Sequence, residues 1–226
     1  MQYNSVAYGS AALSAERNRV MRNTYFLLAL SMLPTAAGAI LGISLQFAMS
    51  PLMGFLVFMG VSFGAFFAIE KTKESAAGVV ILLAWTCFMG LWLSQILQVA
   101  LKFGNGAELI GIAAVGTAAI FFTLASIATV TKKDFSFMGK FLMIGLVVLL
   151  LAAVANIFFA IPALSLTISA VAVLIFSGFI LYDVSRIVNG GETNYITATL
   201  SLYLNIYNLF TSLLHLLMAF SGNSRD

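Results

Sequence analysis

The chain has 226 residues, of which 62% are hydrophobic and only 8% are charged, and its mean hydropathy is +1.05. A soluble domain carries about 25% charged residues, so this composition excludes a soluble protein and predicts an integral membrane protein. The net charge of +3 is too small to indicate nucleic-acid binding, and one cysteine with one histidine argues against an internal disulfide, a Cys/His metal site or a cofactor held by such ligands.

Seven apolar segments, separated by polar clusters, are each long enough to cross a bilayer as a helix. They lie near residues 24–46, 51–69, 76–100, 108–130, 140–160, 163–185 and 195–220. We therefore predict an all-α integral membrane protein with seven transmembrane helices. Residues 23–220 are predicted to form the transmembrane domain, between an N-terminal arm of residues 1–22 and a short tail of residues 221–226.

The arm before the first segment is rich in Ser, Ala, Asn and Tyr and shows no helical periodicity, so it is predicted to be flexible. If this arm is cytoplasmic, then of the 11 basic residues only Lys102 and Arg225 lie on the other side of the membrane. The positive-inside rule therefore favours a cytoplasmic N-terminus and a C-terminal tail on the opposite side.

The second segment contains Gly60-Val61-Ser62-Phe63-Gly64, which matches the G-x-S-x-G nucleophile elbow of hydrolases. That motif acts at a strand-to-helix turn, whereas here it lies in the middle of a predicted helix. A chance match or a small-residue packing face is the better interpretation. Gly60 with Gly64, and Gly38 with Gly42, have the spacing that lets helix backbones approach closely. No catalytic residue is predicted, and no enzyme activity.

Charge clusters follow the second and fourth segments, at residues 70–74 and 131–134. Solvated turns that fix the topology are the simpler interpretation of both clusters. Contacts with anionic lipid headgroups or with a partner protein are the alternative.

Asp183 stands apart from the other acids, because it follows the apolar run at the end of the sixth segment. If that helix leaves the membrane near Asn189, Asp183 lies about 9 Å inside, at 1.5 Å per residue. One interpretation is an i,i+3 ion pair with Arg186 at the helix exit. The other is a titratable group within the membrane. Because burying such a group is costly, its presence there predicts a functional role.

The last segment carries a polar stripe. Placed on a helix, six polar side chains fall within an arc of roughly 80°: Thr197, Ser201, Asn205, Asn208, Ser212 and His215. This helix is therefore predicted to be buried in the bundle or to line a wet path. Gly190 and Gly191 permit a tight return, which places Asn205 near the depth of Asp183. His215 is either a hydrogen-bonded core residue or a functional group.

The residues around this return resemble the Bax inhibitor-1 family (the transmembrane Bax-inhibitor-motif proteins), and most closely its bacterial branch of FtsH-protease modulators. The resemblance spans nearly the whole chain. Its main motif runs through Leu181-Tyr182-Asp183, Gly190-Gly191-Glu192-Thr193-Asn194-Tyr195-Ile196, Ser201-Leu202-Tyr203 and Asn208-Leu209-Phe210. Further matches lie at residues 22–28 and 132–137.

The resemblance implies a fold in which the last helix lies at the centre of the other six. It also implies a pH-sensitive latch, since calcium-leak members carry two aspartates on the last two helices that share a proton. Asp183 matches the first aspartate, but Asn205 occupies the position of the second. An amide does not titrate, so the like-charge latch is absent, although Asn205 can donate a hydrogen bond to Asp183.

Two functions follow from the resemblance. The leading hypothesis is a bacterial inner-membrane protein, with a periplasmic C-terminus, that binds the FtsH protease, with HflK–HflC as further partners, and restrains degradation of membrane proteins. The alternative is a pH-sensitive leak channel or transporter for Ca²⁺ or other cations along the polar face of the last helix. The loss of the second acid favours the protease hypothesis.

Overall fold

The computed structural model describes the backbone of residues 2–222 and the side chains of residues 15–222. In this part of the chain the regular structure is entirely helical. The helices are α1 (Gln2–Ser44), α2 (Pro51–Thr72), α3 (Ala76–Ala100), α4 (Gly106–Thr131), a short 3₁₀ helix η1 (Ser136–Met138), α5 (Gly139–Phe159), α6 (Pro162–Asn189) and α7 (Tyr195–Gly222).

Seven of these helices are long and apolar enough to cross a membrane. The predicted seven-span membrane fold is thereby confirmed. Local sequence sets several of the helix ends. Pro51 and Pro162 occupy the first turns of α2 and α6, where the missing N–H costs no helical hydrogen bond. Gly190 ends α6 with a φ of 80°, in the left-handed region that glycine adopts without a steric penalty.

The last helix in the chain is the inner one. In the described part of the chain, α7 packs against α1, α2, α3, α4 and α6. Most of the side chains that it buries completely are apolar or aromatic, among them Leu202, Tyr203 and Leu209, and the hydroxyl-bearing Thr199 is buried with them. In contrast, α5 packs mainly on α6 and exposes most of its surface to the surroundings. The other six helices therefore do not surround α7 evenly, since α5 lies outside α6.

The tightest helix pair is formed by α1 and α3, because small residues face each other at their crossing. A Cβ on Gly38 would overlap the carbonyl oxygen of Cys87, and one on Gly90 would overlap the carbonyl oxygen of Thr35. Gly42 is similarly covered by the side chain of Ser94. The close approach predicted for the Gly38–Gly42 pair is therefore present.

The same prediction is wrong for Gly60 and Gly64. Both lie on the exposed side of α2, and a Cβ on either would meet no atom of the described chain within 4 Å. Ser62, between them, is buried and accepts a hydrogen bond of 3.4 Å from Trp85 Nε1. The serine therefore faces the bundle interior within a regular helix, which does not form a nucleophile elbow.

The ends of the chain differ in part from the prediction. Because α1 begins at Gln2, the helix extends back through the residues predicted to form a separate arm. The predicted mobility of that arm stays a prediction. The tail also begins later than expected, since α7 continues to Gly222, and residues 223–226 lie outside the described residues.

Candidate functional site

The site is centred on a hydrogen bond between the last two helices. Asn205 Nδ2 on α7 donates to Asp183 Oδ2 on α6 over 2.8 Å. Asn205 is only 6% exposed, so its amide has few alternatives to this partner. The contact predicted between these two side chains is therefore present. A carboxylate that receives an amide N–H inside a membrane bundle keeps part of the stabilisation that water would give it.

Arg186 is not the ion-pair partner of Asp183. In the described part of the chain no cationic nitrogen lies within 4.0 Å of the Asp183 carboxylate. The Arg186 guanidinium instead lies 3.7 Å from Glu192 Oε2 and donates to the Gly191 carbonyl oxygen over 3.1 Å. It also lies 5.6 Å from the centre of the Tyr182 ring. The i,i+3 pair suggested by the sequence is thus wrong, because the arginine turns toward the loop after α6.

Gly190 and Gly191 shape that loop. The Gly191 N–H donates to the carbonyl oxygen of Arg186 over 2.8 Å, which satisfies the end of α6 and reverses the chain. A Cβ on Gly190 would lie 2.6 Å from Arg17 Nε. Glycine at this position therefore accommodates both the left-handed backbone and the side chain of Arg17 from α1. The predicted tight return is present, and it also contacts the first helix.

Asn194 begins α7 and holds it to another loop. Its Oδ1 accepts hydrogen bonds from the backbone N–H groups of Ile196 (2.9 Å) and Thr197 (3.1 Å), which makes it an N-cap. Its Nδ2 donates to the carbonyl oxygen of Lys73 (2.9 Å) and to Glu74 Oε1 (3.0 Å). One side chain therefore both starts the inner helix and fixes the loop between α2 and α3.

Glu192 and Tyr195 complete the start of α7. Glu192 Oε1 accepts from the backbone N–H of Asn194 over 2.9 Å and from Thr197 Oγ1 over 3.2 Å. The carbonyl oxygen of Tyr195 accepts from Thr199 Oγ1 over 2.7 Å. The motif residues of this loop therefore act chiefly on the geometry of α7, by satisfying the free N–H groups of its first turn.

The polar stripe of α7 divides into separate contacts. Ser201 is exposed and Asn205 is buried, whereas Asn208 and Ser212 are half-buried. Asn208 Nδ2 donates to the carbonyl oxygen of Leu204, one turn earlier, over 2.8 Å. Because this amide is bonded within its own helix, it does not continue the contact that Asn205 makes with α6.

His215 lies on the same stripe, farther along α7. Its ring nitrogens lie 2.9 Å from Ser169 Oγ and 3.4 Å from Ser165 Oγ, both on α6. Two hydroxyls thus satisfy the ring, as expected of a hydrogen-bonded core histidine. Asn205 and His215 both face α6, so the stripe forms a polar contact surface between the last two helices.

Tyr203 is the largest fully buried side chain of the site. Its hydroxyl lies 2.8 Å from Thr35 Oγ1 on α1, and its ring packs edge-on against Trp85 of α3 with centroids 5.5 Å apart. The sequence identified Tyr203 as part of the family motif and gave it no partner. The threonine on α1 could not be identified from its own neighbours, because the crossing that brings it close is long-range.

Sequence reasoning also missed Ser185, two residues after Asp183. Its hydroxyl donates to the carbonyl oxygen of Lys133 over 2.9 Å and accepts from the backbone N–H of Phe135 over 3.0 Å. Asn189 Nδ2 reaches the same Lys133 carbonyl at 3.3 Å. These side chains fix the loop between α4 and η1 to α6. The only signal for it in the sequence was a serine near the end of an apolar run.

The chemistry available at this site is limited to hydrogen bonding and charge. Within residues 15–222, no three side chains among His, Cys, Asp and Glu come together as metal ligands. Asp183 is the carboxylate nearest the bundle interior, and Asn205 is its polar partner. The Asp183–Asn205 pair can hold or release one proton or cation.

Comparisons with known proteins agree with the motif around this site. Residues 17–222 match the Bax1-I family, described as inhibitor of apoptosis-promoting Bax1. The chain is 44% identical over 200 residues to the Escherichia coli K12 protein named modulator of FtsH protease YccA, covering 88% of this chain and 90% of that protein. It is 43% identical over 217 residues to an uncharacterised Pseudomonas aeruginosa protein, covering 96% of each. An uncharacterised Neisseria meningitidis protein is 40% identical over 220 residues, covering 95% of this chain and 97% of that protein.

Proposed function

The chain belongs to the Bax1-I family of membrane proteins, and from this premise we propose that it binds and modulates an FtsH-type protease in the bacterial inner membrane. The observation that carries the proposal is the 44% identity to a protein named modulator of FtsH protease, over 88% of this chain. A related Escherichia coli protein is named inner membrane protein YccA, which supports the location. HflK–HflC, as partners of the protease, are included in the proposal.

The orientation is part of the same proposal. Nine of the 11 basic residues lie in the N-terminal part of α1 or on the side of the membrane where α2, α4 and α6 end. The positive-inside rule therefore puts these helix ends and the N-terminus in the cytoplasm. The C-terminus is then periplasmic. The ATP-driven domain of such a protease would meet the start of α1 and the loops fixed by Asn194 and Ser185. A chain whose inner helix contacts five others resists extraction better than a chain of loosely packed spans.

The test is copurification of the protease with the full-length protein from native membranes, followed by the degradation rate of a membrane substrate. A variant lacking residues 2–14 retains Arg17 and therefore keeps the contact between Arg17 and Gly190. We expect this variant to fold, to lose restraint of degradation and to copurify less protease. If copurification of the protease and the degradation rate equalled those of wild type, the N-terminal segment would not be needed to bind or restrain the protease. Absence of the protease from the wild-type preparation would refute the proposal itself.

A second candidate is a pH-sensitive leak of calcium or another cation, and the observation favouring it is the partly buried carboxylate of Asp183 between two spans. The asparagine at position 205 weakens this candidate, because it supplies a donor where a second acid would bind a proton. Calcium flux into liposomes, compared among wild type, Asp183→Ala and Asn205→Asp, shows whether this chain conducts cations. A silent wild type together with pH-dependent flux in Asn205→Asp would exclude the leak for this chain.

A further inference from the structure

A groove opens between the start of α5 and the last turns of α6, apart from the Asp183–Asn205 contact. It has a volume of about 470 Å³. The groove is lined by Ser136, Gly139, Lys140, Met143, Ile144 and Tyr182. Its lining changes along its length, from a hydroxyl and a lysine at the charged loop to Met143 and Ile144 one turn farther into the span.

Tyr182 forms one wall of the groove at its polar end. A Cβ on Gly139 would lie 2.9 Å from the Tyr182 ring and 3.0 Å from its hydroxyl oxygen, so the absence of a side chain there lets the tyrosine reach the first turn of α5. The guanidinium of Arg186 lies near the same ring. The Tyr182 hydroxyl makes no hydrogen bond to a residue in the described part of the chain, which leaves it available to a ligand.

The polar end of the groove carries positive charge. Lys140 is exposed, and no carboxylate of residues 15–222 lies within 4.0 Å of its ammonium group. Lys132 and Lys133 lie on the loop that leads to the groove. The acid of that loop, Asp134, accepts hydrogen bonds from the side chain of Ser136 and, over 2.8 Å, from its backbone N–H, but it does not itself line the groove. The lysine charge is therefore unneutralised where a ligand would bind.

The other end of the groove is apolar and opens toward the surroundings. Met143 is 54% exposed and Ile144 is 66% exposed, and α5 packs mainly on α6. On a spanning helix such side chains face lipid acyl chains. The groove therefore has a cationic, hydroxyl-bearing end at the membrane edge and an apolar end within the bilayer. That order matches the order of groups in an anionic phospholipid.

We propose that this groove binds an anionic phospholipid, with its phosphate near Lys140 and Tyr182 and an acyl chain along Met143 and Ile144. Charge complementarity selects the occupant, since a zwitterionic lipid would bring its own cation to the unneutralised lysine. The proposal requires the spanning fold but does not depend on protease binding. The two proposals can therefore fail separately.

The test measures lipid adducts of the purified full-length protein by native mass spectrometry, with phosphatidylglycerol and phosphatidylcholine of identical acyl chains. Lys140→Gln is expected to lower the affinity for phosphatidylglycerol about fivefold, which is the contribution of one lysine near an anionic surface. Lys133→Gln is the matched control, because it removes the same charge at the same membrane edge but does not line the groove. Its expected loss is below about twofold, and Lys140→Arg is expected to keep binding.

Two further arms test the acyl-chain end. Met143→Trp fills the groove at an exposed position, so it is expected to lower binding of both lipids while the melting temperature stays that of wild type. Soluble glycerol phosphate is expected not to compete. Equal losses for Lys140→Gln and Lys133→Gln would overturn the proposal in favour of diffuse charge. It would also fall if wild type showed no preference for phosphatidylglycerol, if Met143→Trp had no effect, or if glycerol phosphate competed fully.

Discussion

Asn205 on α7 donates a hydrogen bond of 2.8 Å to the carboxylate of Asp183 on α6. The family resemblance of the sequence implies a second acid at position 205 in a proton-sharing latch, but an amide occupies that position. The pair needs no shared proton to be stable, since the amide supplies a permanent donor to the carboxylate. The contact therefore holds α6 and α7 together at any pH at which Asp183 is ionised.

The Asp183–Asn205 contact predicts strong coupling between the two positions. Asn205→Ala leaves the carboxylate without its donor and is expected to lower the free energy of unfolding by about 1.5–3 kcal/mol. In the double variant Asp183→Ala/Asn205→Ala the loss is expected to be smaller than the sum of the single losses, because no unpaired charge remains. Unfolding in mixed detergent micelles measures all three values. Additive losses would show that the hydrogen bond contributes nothing specific.

The glycines of α1 and α2 predict opposite responses to the same substitution. Gly38→Ala forces a methyl group against the backbone of α3 and is expected to cost about 1–3 kcal/mol. Gly60→Ala meets no atom within 4 Å and removes chain entropy from the unfolded state, so it is expected to be neutral or to stabilise by up to about 1 kcal/mol. Melting temperatures in one detergent give the comparison. A loss at Gly60 equal to that at Gly38 would indicate a partner on the exposed face of α2.

Asn194 has two separable roles, which predict two patterns of hydrogen exchange. Asn194→Ala removes both the N-cap acceptor and the donor to Lys73, so exchange should rise at the start of α7 and in the loop at residues 73–75. Asn194→Ser keeps a capping oxygen but no amide donor, so only the loop should exchange faster. The expected loss of stability for the alanine variant is about 1 kcal/mol more than for the serine variant. Identical exchange patterns would mean that the cap and the loop contact are not separable.

Asp134 predicts the pH response of the short η1 helix. Hydrogen bonds from the side chain and then the backbone of Ser136 lower the pKa of Asp134 below its usual value. Because the folded-state pKa is the lower one, the stabilisation is present above the unfolded pKa and is lost as the pH falls through the folded value. The amide proton of Ser136, followed by NMR, should therefore shift only below a pH of about 4. Asp134→Asn should abolish that shift, and a shift that persists would assign it to another group.

Much of the fold could be predicted because hydropathy and the helical rise depend on local sequence alone. Seven long apolar runs define seven spans, and counting residues from the Gly190–Gly191 turn puts Asp183 and Asn205 at similar depth. The loop glycines also carry their conformational preference in their chemistry. These features require no knowledge of which helices are neighbours.

Features that depend on neighbouring helices could not be predicted in the same way. Arg186 is spaced correctly for Asp183, yet it turns toward Glu192, because the chain reverses immediately after α6. Gly60–Gly64 and Gly38–Gly42 have the same spacing, but only the second pair faces another helix. The Tyr203–Thr35 contact joins the last span to the first, and no local pattern specifies that pairing.

The inner position of α7 has a consequence for biosynthesis, because α7 is also the last helix to be made. Its contacts with α1 through α4 join residues far apart in sequence, and such contacts form late and slowly. Until the ribosome releases the end of the chain, the earlier spans reside in the membrane without the inner helix that most of them contact. The nascent protein is then most open to quality control, and a truncation that removes the last span would take from five of the other six helices the surface that they share with α7.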